Sequence, residues 1–459
     1  MYGSTNLNNV KEAYNFKLKV KGLAKDSVCF LAYYYGDKQY LKDTAVVDAT
    51  GSFVFSGKDI LPNGIYMAVL PGKKYFEFIV KEQAFSLDTD TTDYVQYMKT
   101  KGTVENQIFY QYLKFIADRG KKVDSLRKDL EKVKDEKEKS EVIKNKITAI
   151  DKEVKDYKTN VIKNNPGTFV AMLFKGTEDP EVPKNENKKD SLFPYRYYKA
   201  HYFDNIDFTN DDILRTPIYH EKIKSYMENL TVRHPDSINK SADILVEKTR
   251  KNKELFKYTV WWITNTHESA NWMGADAIFV HMVDKYYTKD QAFWLDSSRL
   301  AKVRDRARIL KPLLIGKKGP NLLLQDTLGK TIPLYSLKAK YTVLVFWDPE
   351  CGHCQKELPK VYTFYNDYKS KGVEVYAVNA THDEKKVPSW KKFIKENKLQ
   401  WTNVHDTGPY YDFSKTYDIY SYPVIYLLDE NKEILAKRIG AEQLAEVVDN
   451  MMKSKTKVN

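Results

Sequence analysis

Phe346-Trp347-Asp348-Pro349-Glu350-Cys351-Gly352-His353-Cys354-Gln355-Lys356-Glu357-Leu358-Pro359 holds two of the three cysteines in this chain. An apolar run, residues 341–347, leads into it, and Leu358, Val361, Tyr362 and Tyr365 follow at helical spacing. A short unbroken apolar run reads as a buried strand, and apolar residues three and four apart read as one face of a helix. The stretch is therefore a strand–turn–helix junction, with Cys351 at the helix N-terminus and Cys354 one turn inside.

That placement suits disulfide exchange. The attacking species is a thiolate, and a helix N-terminus favours it through unpaired N–H groups and the helix dipole. Two intervening residues put both sulfurs on one turn, where they can bridge with little backbone movement. Cys351 is read as the attacking thiol and Cys354 as the buried resolving thiol, so the pair is itself the redox carrier and no separate cofactor is expected. The spacer Gly352-His353 tunes the pair, because a charged His353 favours the thiolate and makes the disulfide more oxidising. Asp348 and Glu350 act in the opposite direction.

The same residues carry a family resemblance. Residues 314–453, about the last third of the chain, resemble the thioredoxin-fold domain of TlpA/ResA-like thiol–disulfide oxidoreductases. The matching features are the strand 343–347, Cys351-Gly352-His353-Cys354, Glu357, Pro359, and Tyr422-Pro423 ahead of a second apolar strand. The resemblance implies a cis bond at Pro423 and a Tyr422 backbone that offers a strand-like edge to a cysteine peptide. It makes Trp347, Tyr422 and Pro423 the expected substrate-holding residues and Glu357 a proton-handling carboxylate. The chain departs from the family at Glu350, where a second Trp usually stands, and at the bulky Tyr422. Val345 occupies the place of the buried Asp of ordinary thioredoxins, which fits the TlpA-like branch.

Two other readings of the cysteines fit less well. A zinc site needs about four Cys or His ligands, and there is no second C-x-x-C; Cys29 is distant in sequence, and His382 and His405 would have to join by folding alone. A peroxidatic cysteine would sit in a Pro/Thr-rich loop, and here Pro349 is present without the Thr.

At 459 residues, with 42% hydrophobic residues, the chain is expected to form several domains with real cores. Its 75 Lys and Arg against 62 Asp and Glu leave a net charge of +13, but no nucleic-acid motif accompanies it, so the basic residues read as solvated surface. Cys29 lies in an apolar strand-like run and reads as a buried core thiol.

Residues 14–98 predict a β-sandwich. Its strands are 15–21, 27–35, 40–48, 52–56, 64–70, 75–80 and 84–88, separated by Gly-, Pro- and Asn-containing turns. The segment resembles the domain of unknown function that often precedes the redox domain in TlpA-like envelope proteins. Tyr33, Tyr34 and Tyr35 are a row read as half core, half surface. Residues 103–312 predict a mostly helical region. It comprises a charged hairpin over 103–164, bent at 134–140, and a helical segment over 168–312. His267-Glu268-Ser269-Ala270-Asn271 falls short of the zinc-protease helix motif because Asn271 replaces the second His. Lys302, Arg304, Arg306 and Arg308 read as an exposed helix face before Pro312. The predicted architecture is thus multidomain: an N-terminal all-β sandwich, a central α-helical region and a C-terminal α/β thioredoxin fold.

The expected activity is thiol–disulfide exchange with cysteine-containing proteins, most simply as a reductase. An isomerase or oxidase, or an envelope binding module with a redox-sensing domain, is the alternative. The resemblance implies a periplasmic or envelope-facing location and a membrane thiol donor. No run is apolar enough to span a membrane, and residues 1–4 open onto polar sequence with no signal segment visible.

Overall fold

Alternation builds the N-terminal β part. In β1 (Tyr14–Lys21), Tyr14, Phe16, Leu18 and Val20 are buried while Lys17 and Lys19 face water, the period of a half-buried strand. The structure is a computed structural model describing residues 12–186, 189–381, 383–405 and 412–456. Residues 1–4, read above for a leader, and His382 lie outside these. The other strands of this part are β2 (Val28–Tyr35), β3 (Lys38–Val46), β4 (Ser52–Gly57), β5 (Gly64–Val69), β6 (Tyr75–Val80), β7 (Ala84–Asp90) and β8 (Lys99–Lys101). They form two four-stranded sheets, ordered β4-β1-β7-β8 and β3-β2-β5-β6. One core fills the sandwich, with Phe16 stacked on Phe85 at 4.5 Å and Cys29 wholly buried. Burial pushes the Cys29 thiol up to about 11. Of the tyrosine row, Tyr34 donates to Glu77 and Tyr35 to Glu254.

The helices follow: α1 (Val104–Lys132), α2 (Lys137–Asn164), α3 (Phe169–Thr177), α4 (Phe193–His201), α5 (Pro217–Glu228), α6 (Pro235–Lys248), α7 (Lys253–Glu268), α8 (Ala275–Tyr286) and α9 (Ser297–Leu310). Asn106 docks α1 on the free edge of β6, accepting from the Ile79 N–H and donating to its carbonyl, both at 2.7 Å. An open sheet edge is thereby closed. Glu105 is buried and its carboxylate accepts the N–H groups of Phe169 and Val170 at 2.8 and 3.1 Å, capping α3, with Lys81 at 3.2 Å. His267 ends α7 with its Nδ1 on the Ile263 carbonyl. Of the basic run in α9, Lys302, Arg304 and Arg308 are exposed, but Arg306 is not part of a solvated face. It turns inward to the buried Asp418, a correction to the sequence reading.

The last part alternates strands and helices: β9 (Leu323–Asp326), β10 (Thr331–Pro333), β11 (Tyr341–Trp347), α10 (Gly352–Tyr368), β12 (Val373–Asn379), α11 (Val387–Glu396), β13 (Thr402–His405), α12 (Phe413–Thr416), β14 (Val424–Asp429), β15 (Ile434–Lys437) and α13 (Leu444–Thr456). They form a seven-stranded mixed sheet in the order β10-β9-β13-β12-β11-β14-β15, with β11 parallel to β12 and antiparallel to β14. All seven residues of β11 are buried. Val343, Val345 and Trp347 pack into one core with Leu358, Val361 and Leu444, and Leu344 and Phe346 into a second with Phe413 and Tyr417. The chain is therefore multidomain, with N-terminal β sheets, a helical centre and a thioredoxin-like α/β end. It divides into two compact units. One runs through Val232 and takes in Ile244–Tyr258; the other holds Arg233–Asp243 and the chain from Thr259 on.

Removing the buried cap tests the first unit. Glu105→Ala strands two N–H groups, and is expected to cost about 2–3 kcal/mol, read as an earlier midpoint in urea, with Glu105→Gln costing less. An unchanged midpoint for Glu105→Ala would contradict this role.

Candidate active site

β11 delivers the chain to the site. Beyond Trp347 the Asp348 side chain accepts the Glu350 N–H at 2.8 Å, and the Asp348 carbonyl accepts the Cys351 N–H at 3.1 Å. This tight turn lets α10 begin at once. Cys351 is its N-cap, in extended conformation (φ −81°, ψ 115°), and its Sγ lies 3.5 Å from the Cys354 N–H. Nothing crowds Gly352. Cys351 is half-buried, whereas Cys354 is completely enclosed. The helix thus presents one sulfur to solvent and turns the other into the core.

The Cys351 Sγ also lies 3.6 Å from the Tyr422 carbonyl. It therefore stands between an acceptor that suits S–H and a donor that suits S⁻, as a thiol that changes protonation during exchange requires. The Tyr422–Pro423 peptide bond is cis, and both residues are partly exposed. The Tyr422 hydroxyl reaches the Ala380 carbonyl at 3.4 Å. Cys354 accepts the Asp348 N–H at 3.5 Å, but burial pushes its thiol up to about 12, with the neighbouring Cys351 adding to the rise.

The charged neighbours are arranged as follows. Glu350 pairs with Lys386 at 2.7 Å, and that bond raises the lysine. His353 is exposed. Glu357 is held below the ordinary carboxylate range, first by its bond to Lys360 and further by the Ala441 N–H at 3.2 Å; the charge of His353 contributes. Val345 is buried in the same core as Cys354, so an apolar side chain fills the place of a buried acid.

Trp347 needs a correction. It was expected to hold substrate, but it is 0% exposed and its ring packs on Phe393 at 5.2 Å, with the indole N–H unpartnered. As the last residue of a strand buried on both faces, it floors the site and cannot meet a substrate. The sequence reading also missed the tie between Asp418 and Arg306. Its one signal was helix phase, because Arg306 falls three and four residues from Val303 and Leu310, beside the buried stripe of α9.

The fold and the paired cysteines define a thioredoxin-like thiol–disulfide oxidoreductase. Residues 315–437 match the AhpC/TSA family, and two domains of unknown function match upstream, DUF4369 over 14–109 and DUF5106 over 130–311. The chain is 35% identical over 142 residues to a thiol-disulfide oxidoreductase ResA of Bacillus cereus, covering 31% of this chain and 79% of that protein. It is 36% identical over 131 residues to the sporulation thiol-disulfide oxidoreductase A of Bacillus subtilis, covering 28% and 78%. Among solved structures, a domain of a possible thiol-disulfide isomerase from Cytophaga hutchinsonii is 48% identical over 32% of this chain and 98% of that one, with a TM-score of 0.30. The chain belongs to the ResA-like family of thiol–disulfide oxidoreductases.

The unequal burial of the sulfurs predicts their reactivity. Burial holds the Cys354 thiol up at about 12, so little of it is thiolate at neutral pH. Iodoacetamide on the reduced, folded protein is expected to add one group, at Cys351, while Cys29 and Cys354 react only in denaturant. Peptide mapping that finds Cys354 alkylated as fast as Cys351 would contradict the geometry.

Proposed function

We propose that this protein reduces disulfides in cysteine-containing proteins of the cell envelope, and that a membrane thiol donor returns it to the dithiol state. The observation that carries the reading is the half-buried Cys351 sulfur held between the Cys354 N–H and the Tyr422 carbonyl, with Cys354 enclosed behind it. The Cys351 thiolate attacks one sulfur of the substrate disulfide. That S–S bond breaks, and the departing substrate thiolate takes a proton. Cys354 then gives up its proton and attacks Cys351, releasing the second substrate thiol and leaving the Cys351–Cys354 disulfide. Two electrons have passed to the substrate. The carboxylate that takes the Cys354 proton is Glu357, one helical turn on and ionised at neutral pH. Tyr422 and Pro423 form the edge along which the substrate strand lies.

The local field supports the reducing direction. Burial and the charge of Asp348 raise the Cys354 thiol, and a disfavoured thiolate makes a dithiol a better reductant. His353 and Glu350 are both exposed and Glu350 is paired with Lys386, so solvent weakens both of their fields. Among the described residues no helix is long and apolar enough to cross a membrane.

Cysteine variants test the assignment directly. Cys351→Ser is expected to abolish reduction of insulin by dithiothreitol, while Cys354→Ser accumulates a mixed disulfide with substrate that is visible on a non-reducing gel. Turnover retained by Cys351→Ser would exclude this chemistry.

A further inference from the structure

The loop that carries Tyr422 is held from outside the redox sheet. It leaves α12 through Asp418, whose backbone is left-handed (φ 56°), a conformation disfavoured for any residue with a Cβ. The Asp418 carboxylate is only 2% exposed, and a charge so enclosed needs partners on both oxygens. Two arginines supply them. Arg306 of α9 places Nη1 on Oδ1 and Nη2 on Oδ2, the latter at 3.0 Å, the fork geometry that only a guanidinium offers. Arg438, just after β15, donates at 2.7 Å to Oδ2 and to the Asp418 carbonyl. The Arg306 guanidinium also lies 5.6 Å from the centre of the Tyr420 ring.

The far end of the same loop meets the chemistry. Tyr422 follows Asp418 by four residues, and its carbonyl lies 3.6 Å from the Cys351 sulfur. Arg438 belongs to the redox domain's own sheet turn. Arg306 does not. It lies on a helix within the 130–311 stretch, whose family has no assigned function. A second tie, between Asp276 of α8 and Lys437 of β15, joins the same two parts of the chain without a hydrogen bond to the loop.

We propose that Arg306 is a positioning residue for the redox site. Its fork on Asp418 fixes the 418–423 loop, and with it the Tyr422 carbonyl and the edge offered to a cysteine peptide. The inference rests on the disulfide-exchange reading above and extends it, because it makes the helical segment a working part of the site. A displaced loop mis-sets an incoming peptide while leaving the Cys351 thiol accessible, so binding and intrinsic thiol reactivity separate.

The test compares the full-length wild type with Arg306→Met, Arg306→Lys and Asp276→Asn in two reactions, insulin reduction with dithiothreitol as donor and alkylation of Cys351 by iodoacetamide. Arg306→Met is expected to lower kcat/KM for insulin about ten- to hundred-fold, chiefly through KM, without slowing alkylation. Arg306→Lys keeps the charge but loses the fork, and is expected to fall between. Asp276→Asn removes the other tie, neither partner of which bonds the 418–423 loop, and is expected to lower the Tm with a smaller loss of kcat/KM than Arg306→Met. Equal losses in Arg306→Met and Asp276→Asn, or insulin turnover and alkylation falling together, would reduce Arg306 to a structural staple and overturn the proposal. Should Arg306→Met not fold, Arg306→Lys decides: a raised KM with unslowed alkylation supports positioning, and an unchanged KM overturns it. A wild type that alkylates normally but never reduces insulin would overturn the exchange reading itself, and this proposal with it.

Discussion

Seven consecutive buried residues in β11 constrain everything at the site. A strand with a core on each face cannot stop gradually, so the chain must leave the sheet at Trp347 and turn within a few residues. The Asp348 turn makes that exit, and α10 starts with Cys351 at its N-cap. Helix geometry then does the rest. One turn separates a half-buried sulfur from a sulfur enclosed in the core, and that burial raises the Cys354 thiol. The asymmetry of the two thiols is thus a consequence of how the central strand is packed.

The electrostatics around the pair are a balance of opposed terms. A helix N-terminus favours a thiolate, while burial above all, and the charge of Asp348, raise the Cys354 thiol. Lys386 pairs with Glu350 and blunts one of the acids. Glu357 is committed to Lys360 and to the Ala441 N–H, which also ties α10 to the closing helix region. Its position therefore serves packing as well as the proton traffic proposed for it.

Much of the redox end was legible because its signals are local. The cysteine pair, the apolar run before it and the helical spacing of Leu358, Val361 and Tyr365 sit within about 25 residues, and period and spacing define such a junction. The sandwich strands were legible for the same reason, through alternation broken by Gly, Pro and Asn turns. β8 was not, because Lys99-Thr100-Lys101 has no alternation to read and is a strand only through its pairing with β7. Trp347 was misread because family position says which residue is near a site, whereas the burial of a strand's last residue depends on α11 packing over it. Arg306 was misread because a cation in a basic run reads as solvated, and its partner Asp418 is 112 residues away. The pairing itself leaves no trace in a single sequence at that separation, and only the helix phase of Arg306 pointed inward.

We propose that Cys351 and Cys354 form a reversible dithiol–disulfide couple poised to reduce. Equilibration of the purified protein in glutathione buffers, followed by mass spectrometry of the trapped thiols, measures that poise directly. The predicted result is a single two-electron transition near roughly −270 mV, the thioredoxin range. A midpoint between about −120 and −180 mV, where disulfide donors and isomerases lie, would contradict the reducing assignment. A pair that never bridges would contradict the redox chemistry altogether.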